Sequence, residues 1–308
     1  MAFAVVFPGQ GSQFEGMADA WNTHPAGRTV IAEASEALER DVVEGCHDPE
    51  ALATTEFVQP ALLACDIAAF RVLEAEGLTS SQITGAAGHS LGEFAALVAS
   101  GAMLLPEALG LVVIRGAAMQ HAGEQRPGTM TALLGVGTEQ ADELCEEARG
   151  QDVLVVANEN SSVQVVISGS VAAIARAETL ASEQKIRAVR LNVAGAFHSS
   201  LMEPAVQPIL RVLDDIEIRA PRFPIAENVS GTLVSDPDEL RDLLGRHVVS
   251  SVRWQACAVA LQDAGASTFL EAGPGEVLTK MAKRVVPGAT AVAVGSPEAA
   301  AAAVSSAP

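Results

Sequence analysis

Gly88-His89-Ser90-Leu91-Gly92 constrains this chain more than any other stretch. Before it stands Thr84-Gly85-Ala86-Ala87-Gly88, a small-residue run that reads as a strand. After it comes an apolar helix that runs to about Ser100. A serine thrust outward on a sharp strand-to-helix turn needs neighbours without side chains, because strand and helix crowd together there. The helix behind the serine adds a positive N-terminal field. The Leu91 amide points to where an oxyanion would form. Five residues with two glycines recur by chance, so the flanking strand and helix give the pattern its weight. A chain carrying this unit must build an α/β layer around it.

The remaining segments fit that demand. Residues 3–7 (FAVVF) form a short apolar run ending at Pro8-Gly9, which suits a fully buried strand. Ser12-Gln13-Phe14-Glu15 has a capping-box pattern that predicts a helix toward Trp21. Residues 29–45, 59–76 and 106–122 have helical periodicity. The middle of the chain changes rhythm: strand 129–136, helix 138–149, strands 153–158 and 163–168, helix 170–184, strand 186–193. That β-α-β-β-α-β order predicts a ferredoxin-like split unit inserted into a larger α/β body. The body comprises residues 1–127 and 194–295, and the inserted subdomain 128–193. It resumes with helix 199–214 and ends with strand 267–271, the Gly273-Pro274-Gly275 turn and helix 276–286. Residues 296–308 (SPEAAAAAVSSAP) are of low complexity and read as a frayed tail.

A serine nucleophile needs a base. Of the six histidines, His24, His47 and His121 sit in polar or helix-end contexts, and His89 diverges from Ser90 on the turn, which favours packing. His198 lies in Ala194-Gly195-Ala196-Phe197-His198-Ser199-Ser200, at the junction after the inserted unit. Spacing alone leaves it balanced between base and bystander. No acid in the order Ser, Asp or Glu, His is evident, so a Ser–His dyad held by a backbone carbonyl is the simpler reading. Arg115 interrupts an apolar helix, Leu111 to Met119. A guanidinium there is either an ion pair with a residue such as Glu93 or a bidentate clamp for a substrate carboxylate. Phe7-Pro8-Gly9-Gln10-Gly11-Ser12-Gln13 is either a generic βα turn or the source of a second oxyanion donor, the Gln10 amide.

Charge narrows the partners. The chain of 308 residues carries 19 basic and 38 acidic side chains, a formal net charge of −19. So acidic a surface argues against nucleic-acid and anionic-membrane binding. No apolar run is long enough for a membrane span. Cys46, Cys65, Cys145 and Cys257 form no CxxC pair, which suggests neither a zinc site nor a redox dithiol, and reads as buried thiols of a reducing cytosol.

Taken in order, FPGQGSQ at 7–13, QPAL at 59–62, GHSLGE at 88–93, RG..MQ at 115–120, N.NS..QVVISG at 158–169, GAFHSSLM at 195–202, VRW at 252–254 and GPG.VL at 273–278 resemble the malonyl-CoA:acyl-carrier-protein transacylase family. The resemblance covers nearly the whole chain. It implies a hydrolase-like α/β body with a ferredoxin-like subdomain, and malonyl transfer from coenzyme A to an acyl carrier protein without a cofactor. It implies Ser90 as nucleophile, His198 as base, Arg115 on the malonyl carboxylate, and the Gln10 and Leu91 amides as the oxyanion hole. Met119 resembles a wall of the acyl pocket, Phe197 in GAFH resembles the malonyl-type signature, and Asn160 and Gln164 resemble polar residues near the cleft. A monomer is the family expectation. One departure stands out: the family's Gln or Asn, whose backbone carbonyl holds the base, is His247 here, and the Pro before VRW is Ser251. The resemblance also admits an acyl hydrolase on the same fold, or a transacylase for another extender group. Both proposed partners are anionic, so attraction must be local. Arg187, Arg190, Lys280, Lys283 and Arg284 are the candidates.

Overall fold

The structure, a computed structural model, describes residues 2–305. Its strands are β1 (Phe3–Phe7), β2 (Ile83–Gly88), β3 (Gly128–Leu134), β4 (Leu154–Ser161), β5 (Gln164–Ser170), β6 (Arg187–Arg190), β7 (Ile225–Ala226), β8 (Leu233–Val234), β9 (Thr268–Ala272) and β10 (Thr290–Val294). Six of them make one sheet in the order β10-β9-β1-β2-β7-β8, parallel except for the β7–β8 pair. β1 sits at the centre, and all five of its residues are buried. Alternate side chains serve two cores. Phe3, Val5 and Phe7 join the core on one face, with the helix Thr55–Ala75. Ala4 and Val6 join the other, with Trp254, Cys257 and Leu261 of the helix Trp254–Asp263. A strand covered on both faces has no polar alternation to show, hence the unbroken FAVVF.

The remaining four strands form a second, antiparallel sheet in the order β4-β5-β3-β6. The helices Thr138–Arg149 and Val171–Glu183 cover one face of it. This is the ferredoxin-like arrangement, and it belongs to an α/β fold with a hydrolase-like body. A short parallel bridge ties it to the body: Glu159 N–H donates to Val252 O at 2.9 Å, and Val252 N–H to Ala157 O at 2.8 Å. No helix among the described residues is long and apolar enough to cross a membrane.

Four local expectations fail, each for a physical reason. Residues 12–15 open no helix, because Ser12 Oγ donates back to Gly9 O and Gln13 Oε1 accepts from Gly11 N–H. The loop is thereby folded onto itself, and the first helix is Asp19–Asn22. The span 29–45 is two helices, Pro25–Ala37 and Val42–Cys46, parted at Glu39 with φ of +49° and restarted by the Asp41 cap. The last strand of the small sheet stops at Arg190, which frees 191–193 for the cleft. Residues 296–308 are not a frayed tail as far as they are described. Pro297–Ser305 is a helix with Ala300 and Ala303 buried against the core, because small side chains at i and i+3 let it lie close. Ser306, Ala307 and Pro308 lie outside the described residues.

A charge at Ala300 would be buried, whereas at Ala302 it would face water. Ala300→Glu should cost about 2 kcal/mol or more and lower Tm by several degrees, and Ala302→Glu should leave it unchanged. Equal thermal melts for the two variants would refute the docking of this helix.

Candidate active site

The sharp turn after β2 is set by contact distance. A Cβ on Gly88 would lie 1.8 Å from the Gly92 carbonyl carbon, and one on Gly92 would lie 2.2 Å from Phe7 O. No side chain fits at either place. Ser90 between them adopts φ of +52°, the left-handed region that non-glycine residues avoid. The loop after β1 packs against the same turn, since a Cβ on Gly9 would meet His89 O at 2.2 Å. Gln10 and Leu91 therefore stand side by side on the cavity wall. Among the described residues neither backbone N–H donates to a protein acceptor. Both amides are left for an oxyanion.

His198 reaches Ser90 from the other side of the cleft. Its own φ is +59°, its ring is buried, and Nε2 lies 2.8 Å from Ser90 Oγ. Nδ1–H donates to Ser250 O at 2.9 Å and to His247 O at 3.2 Å. Those carbonyls fix the tautomer in which Nε2 carries the lone pair, so Ser90 donates to His198. The expected carbonyl of His247 is used, but Ser250, three residues on, makes the shorter bond. Burial, then the Arg115 charge, then His89 push His198 down to about 3, against the pull of the two carbonyls. The base is neutral throughout the physiological range.

Arg115 makes no direct ion pair with Glu93 among the described residues. Its guanidinium is 1% exposed. Nη1 donates to Gln59 Oε1 at 2.6 Å and Nη2 to Ser90 Oγ at 3.0 Å, while Nε has no partner among the described residues. Glu93, the ion-pair alternative, acts on it only through space, and spends Oε2 on the Asn228 N–H at 2.8 Å. Burial pulls Arg115 down to about 10, so it remains a cation at neutral pH. It thus sits beside the nucleophile as a positive charge with no acidic side chain in direct contact among the described residues.

A cavity of about 240 Å³ joins these groups. Met119, Met130, Leu191, Val193 and Phe197 give it apolar walls, and Gln10, Gln59, Asn158 and Asn192 give it polar ones. Asn160 is not on that wall. It is buried behind it, where its Oδ1 accepts from His89 Nε2 at 2.8 Å. Gln164 also lies off the cavity, paired in register with Ser161 and Leu134. His89 packs against Trp254, ring centroids 5.7 Å apart, as its divergence from Ser90 predicts.

Sequence reasoning missed Asn228. Its Oδ1 accepts from Ser90 N–H at 2.8 Å, and its Nδ2 donates to Gly88 O at 2.7 Å. It also gave no role to Gln59 beyond the QPAL match, or to Asn158. The basic candidates divide: Arg190 is paired to Glu178 and Lys280 to Glu276, whereas Lys283 and Arg284 point outward from the helix Val277–Val285.

A neutral His198 makes the reactivity of Ser90 insensitive to pH around the ordinary histidine value. Labelling of Ser90 by a fluorophosphonate should show no inflection near a pH of about 6.5. A halving of the rate there would contradict the burial of the base.

Comparison with known proteins agrees with this geometry. The acyl transferase domain family matches residues 4–303. The malonyl CoA-acyl carrier protein transacylase of Escherichia coli K12 is 38% identical over 306 residues, covering 98% of both chains. The crystal structure of acyl-carrier-protein S-malonyltransferase from Burkholderia pseudomallei has a TM-score of 0.94 at 36% identity, covering 99% of this chain and all of that one. A malonyl-transacylase solved in complex with a type II polyketide acyl-carrier protein has a TM-score of 0.94 at 36% identity, covering 99% of each chain. With Ser90, His198 and Arg115 assembled on one cleft, the chain belongs to the acyl transferase domain family, among its malonyl-CoA:acyl-carrier-protein transacylases.

Proposed function

We propose that this enzyme moves a malonyl group from coenzyme A to the phosphopantetheine thiol of an acyl carrier protein through a malonyl-Ser90 ester. The buried Arg115 cation carries the reading. It lies against Ser90 Oγ and lacks a direct acidic partner among the described residues. A malonyl carboxylate would supply that partner. An acetyl group would leave it unpaired.

His198 Nε2 takes the Ser90 proton as Oγ attacks the thioester carbonyl. The Gln10 and Leu91 amides hold the tetrahedral oxyanion. The C–S bond breaks, and His198 returns the proton to the departing coenzyme A thiolate. The carrier thiol then enters, gives its proton to His198 and attacks the ester carbonyl. Ser90 leaves and recovers the proton. Substrate also tunes the base. Arg115 depresses His198 in the free enzyme, so a carboxylate on Arg115 cancels part of that effect and strengthens the base only when malonyl is bound. Phe197, Met119 and Leu91 line the cavity beside Ser90, which supports exclusion of branched extender groups.

The carrier partner is supported by the related structure solved with one. Lys283 and Arg284 are its proposed contacts. Their helix follows the Gly273-Pro274-Gly275 turn, which lies close to the loop bearing Gln10: a Cβ on Gly275 would lie 3.3 Å from Ser12 O. A local basic patch there would offset repulsion from the net charge of −19. The exposed large apolar side chains, among them Phe14, Leu104, Val171 and Val277, are scattered over separate elements, which supports a monomer. Four free, buried cysteines support a cytosolic enzyme.

Ser90→Ala should abolish the malonyl adduct seen by intact mass, and its persistence would refute the nucleophile. Arg115→Ala removes one side of a buried charged contact, worth about 2–5 kcal/mol. It should lower kcat/KM for malonyl-CoA by ~30-fold or more and leave acetyl transfer far less affected; an equal fall in both would refute the clamp. Reversing Lys283 and Arg284 to acids should raise KM for the carrier with little change for malonyl-CoA, and an unchanged carrier KM would exclude that patch.

A further inference from the structure

We propose that Asn228 is a positioning residue that holds the strained Ser90 backbone, and that the His247 ring seats it. The inference rests on Ser90 as the nucleophile, not on the identity of the acyl group. Ser90 stands at φ of +52° between two glycines that cannot bear side chains. Its N–H precedes the helix and has no backbone acceptor among the described residues. It donates instead to Asn228 Oδ1 at 2.8 Å. The other end of the same carboxamide donates to Gly88 O at 2.7 Å. One planar group therefore ties together the two sides of the turn, accepting from one and donating to the other.

Asn228 is itself held on every side and is fully buried. Its backbone N–H donates to Glu93 Oε2 at 2.8 Å, and its carbonyl accepts from Arg253 N–H at 2.9 Å. The His247 ring closes the remaining side, with Nε2 3.5 Å from Asn228 Oδ1 and 3.9 Å from Glu93 Oε2. That ring also stands edge-on to His198 at 5.5 Å between centroids. The histidine that replaces the family's Gln or Asn thus spans from the support of the nucleophile to the flank of the base. Asn228 touches no reacting atom. It acts by aiming Ser90 Oγ and the Leu91 amide that follows.

Substitution by aspartate separates positioning from packing. A protonated aspartic acid has the shape of asparagine, and it can accept from Ser90 N–H and donate to Gly88 O. An aspartate anion cannot donate, and it would face Gly88 O. The groups around it are Glu93 from the helix Gly92–Ser100, the neighbouring Glu227, His247 from its turn, and Cys257 from the helix Trp254–Asp263, with Arg115 beyond Glu93. Burial at this position, with Glu93 and Glu227 beside it, would hold an acid at 228 above the usual carboxylate range.

The test is labelling of Ser90 by a fluorophosphonate in the full-length enzyme, followed by intact mass, beside thermal melts and steady-state kinetics. Asn228→Ala should slow labelling by ~10-fold or more and lower kcat, with KM for malonyl-CoA changed less than about twofold, because Arg115 and the cavity stay intact. Asn228→Asp should be slow at a pH of about 8 and recover toward the wild-type rate as pH falls to about 5, while the wild type stays flat. Wild-type labelling of Asn228→Ala, or an Asn228→Asp variant that stays slow at every pH down to about 5, would overturn the inference. A wild-type enzyme labelled at Ser90 but not malonylated would overturn the malonyl reading alone and leave this test in force.

Discussion

The site depends on the close approach of Gly88 to Gly92 and of Gly92 to Phe7. That approach lets β1, β2 and the following helix meet at one point, and it leaves Ser90 no conformation but a strained one. Strain of this kind persists only where the surroundings over-determine it. Here they do: Asn228 holds the Ser90 amide, His198 and Arg115 hold its Oγ, and all three are buried. The three come from separate stretches of the chain. Only the completed two-sheet fold brings them to one atom, so folding and nucleophile geometry are one event.

Burial sets the electrostatics in the same way. Arg115 lies where a cation is costly, with a carboxamide and a hydroxyl as its direct partners. On the proposed reading an incoming carboxylate relieves that cost, which would tie selectivity to the site's own desolvation. Burial first, and then the same cation, depress His198 in the free enzyme.

The parts of this account legible in the sequence are those with local signatures. FAVVF announced a buried strand because both its faces are covered. Gly88 and Gly92 announced the turn because only glycine tolerates such contacts. Arg115 was visible as a charge in an apolar helix, although its partner Gln59 was not, since 56 residues separate them. His198 was only a candidate, because no spacing reveals a φ of +59° or a ring turned across the cleft. Asn228 was invisible: it follows the two-residue strand β7, too short to show a period, and it bonds to a residue 138 positions away. Asn160 was expected near the cleft, but Asn158 lines it instead, because the β4–β5 register shifts between Glu159 and Ser161. A shift of that kind breaks the alternation by which one residue faces the cleft and another lies behind it. The terminal helix was misread because alanine and serine carry almost no signal, yet their smallness is what lets it dock.

The claim at the centre is that a buried cation beside the nucleophile selects the acyl group. Offering wild-type enzyme an equimolar mixture of malonyl-CoA and acetyl-CoA, quenching early and reading the Ser90 adducts by intact mass tests it directly. The account requires malonyl-Ser90 to dominate the adducts from the earliest time point. Malonyl and acetyl adducts in equal amounts would contradict it.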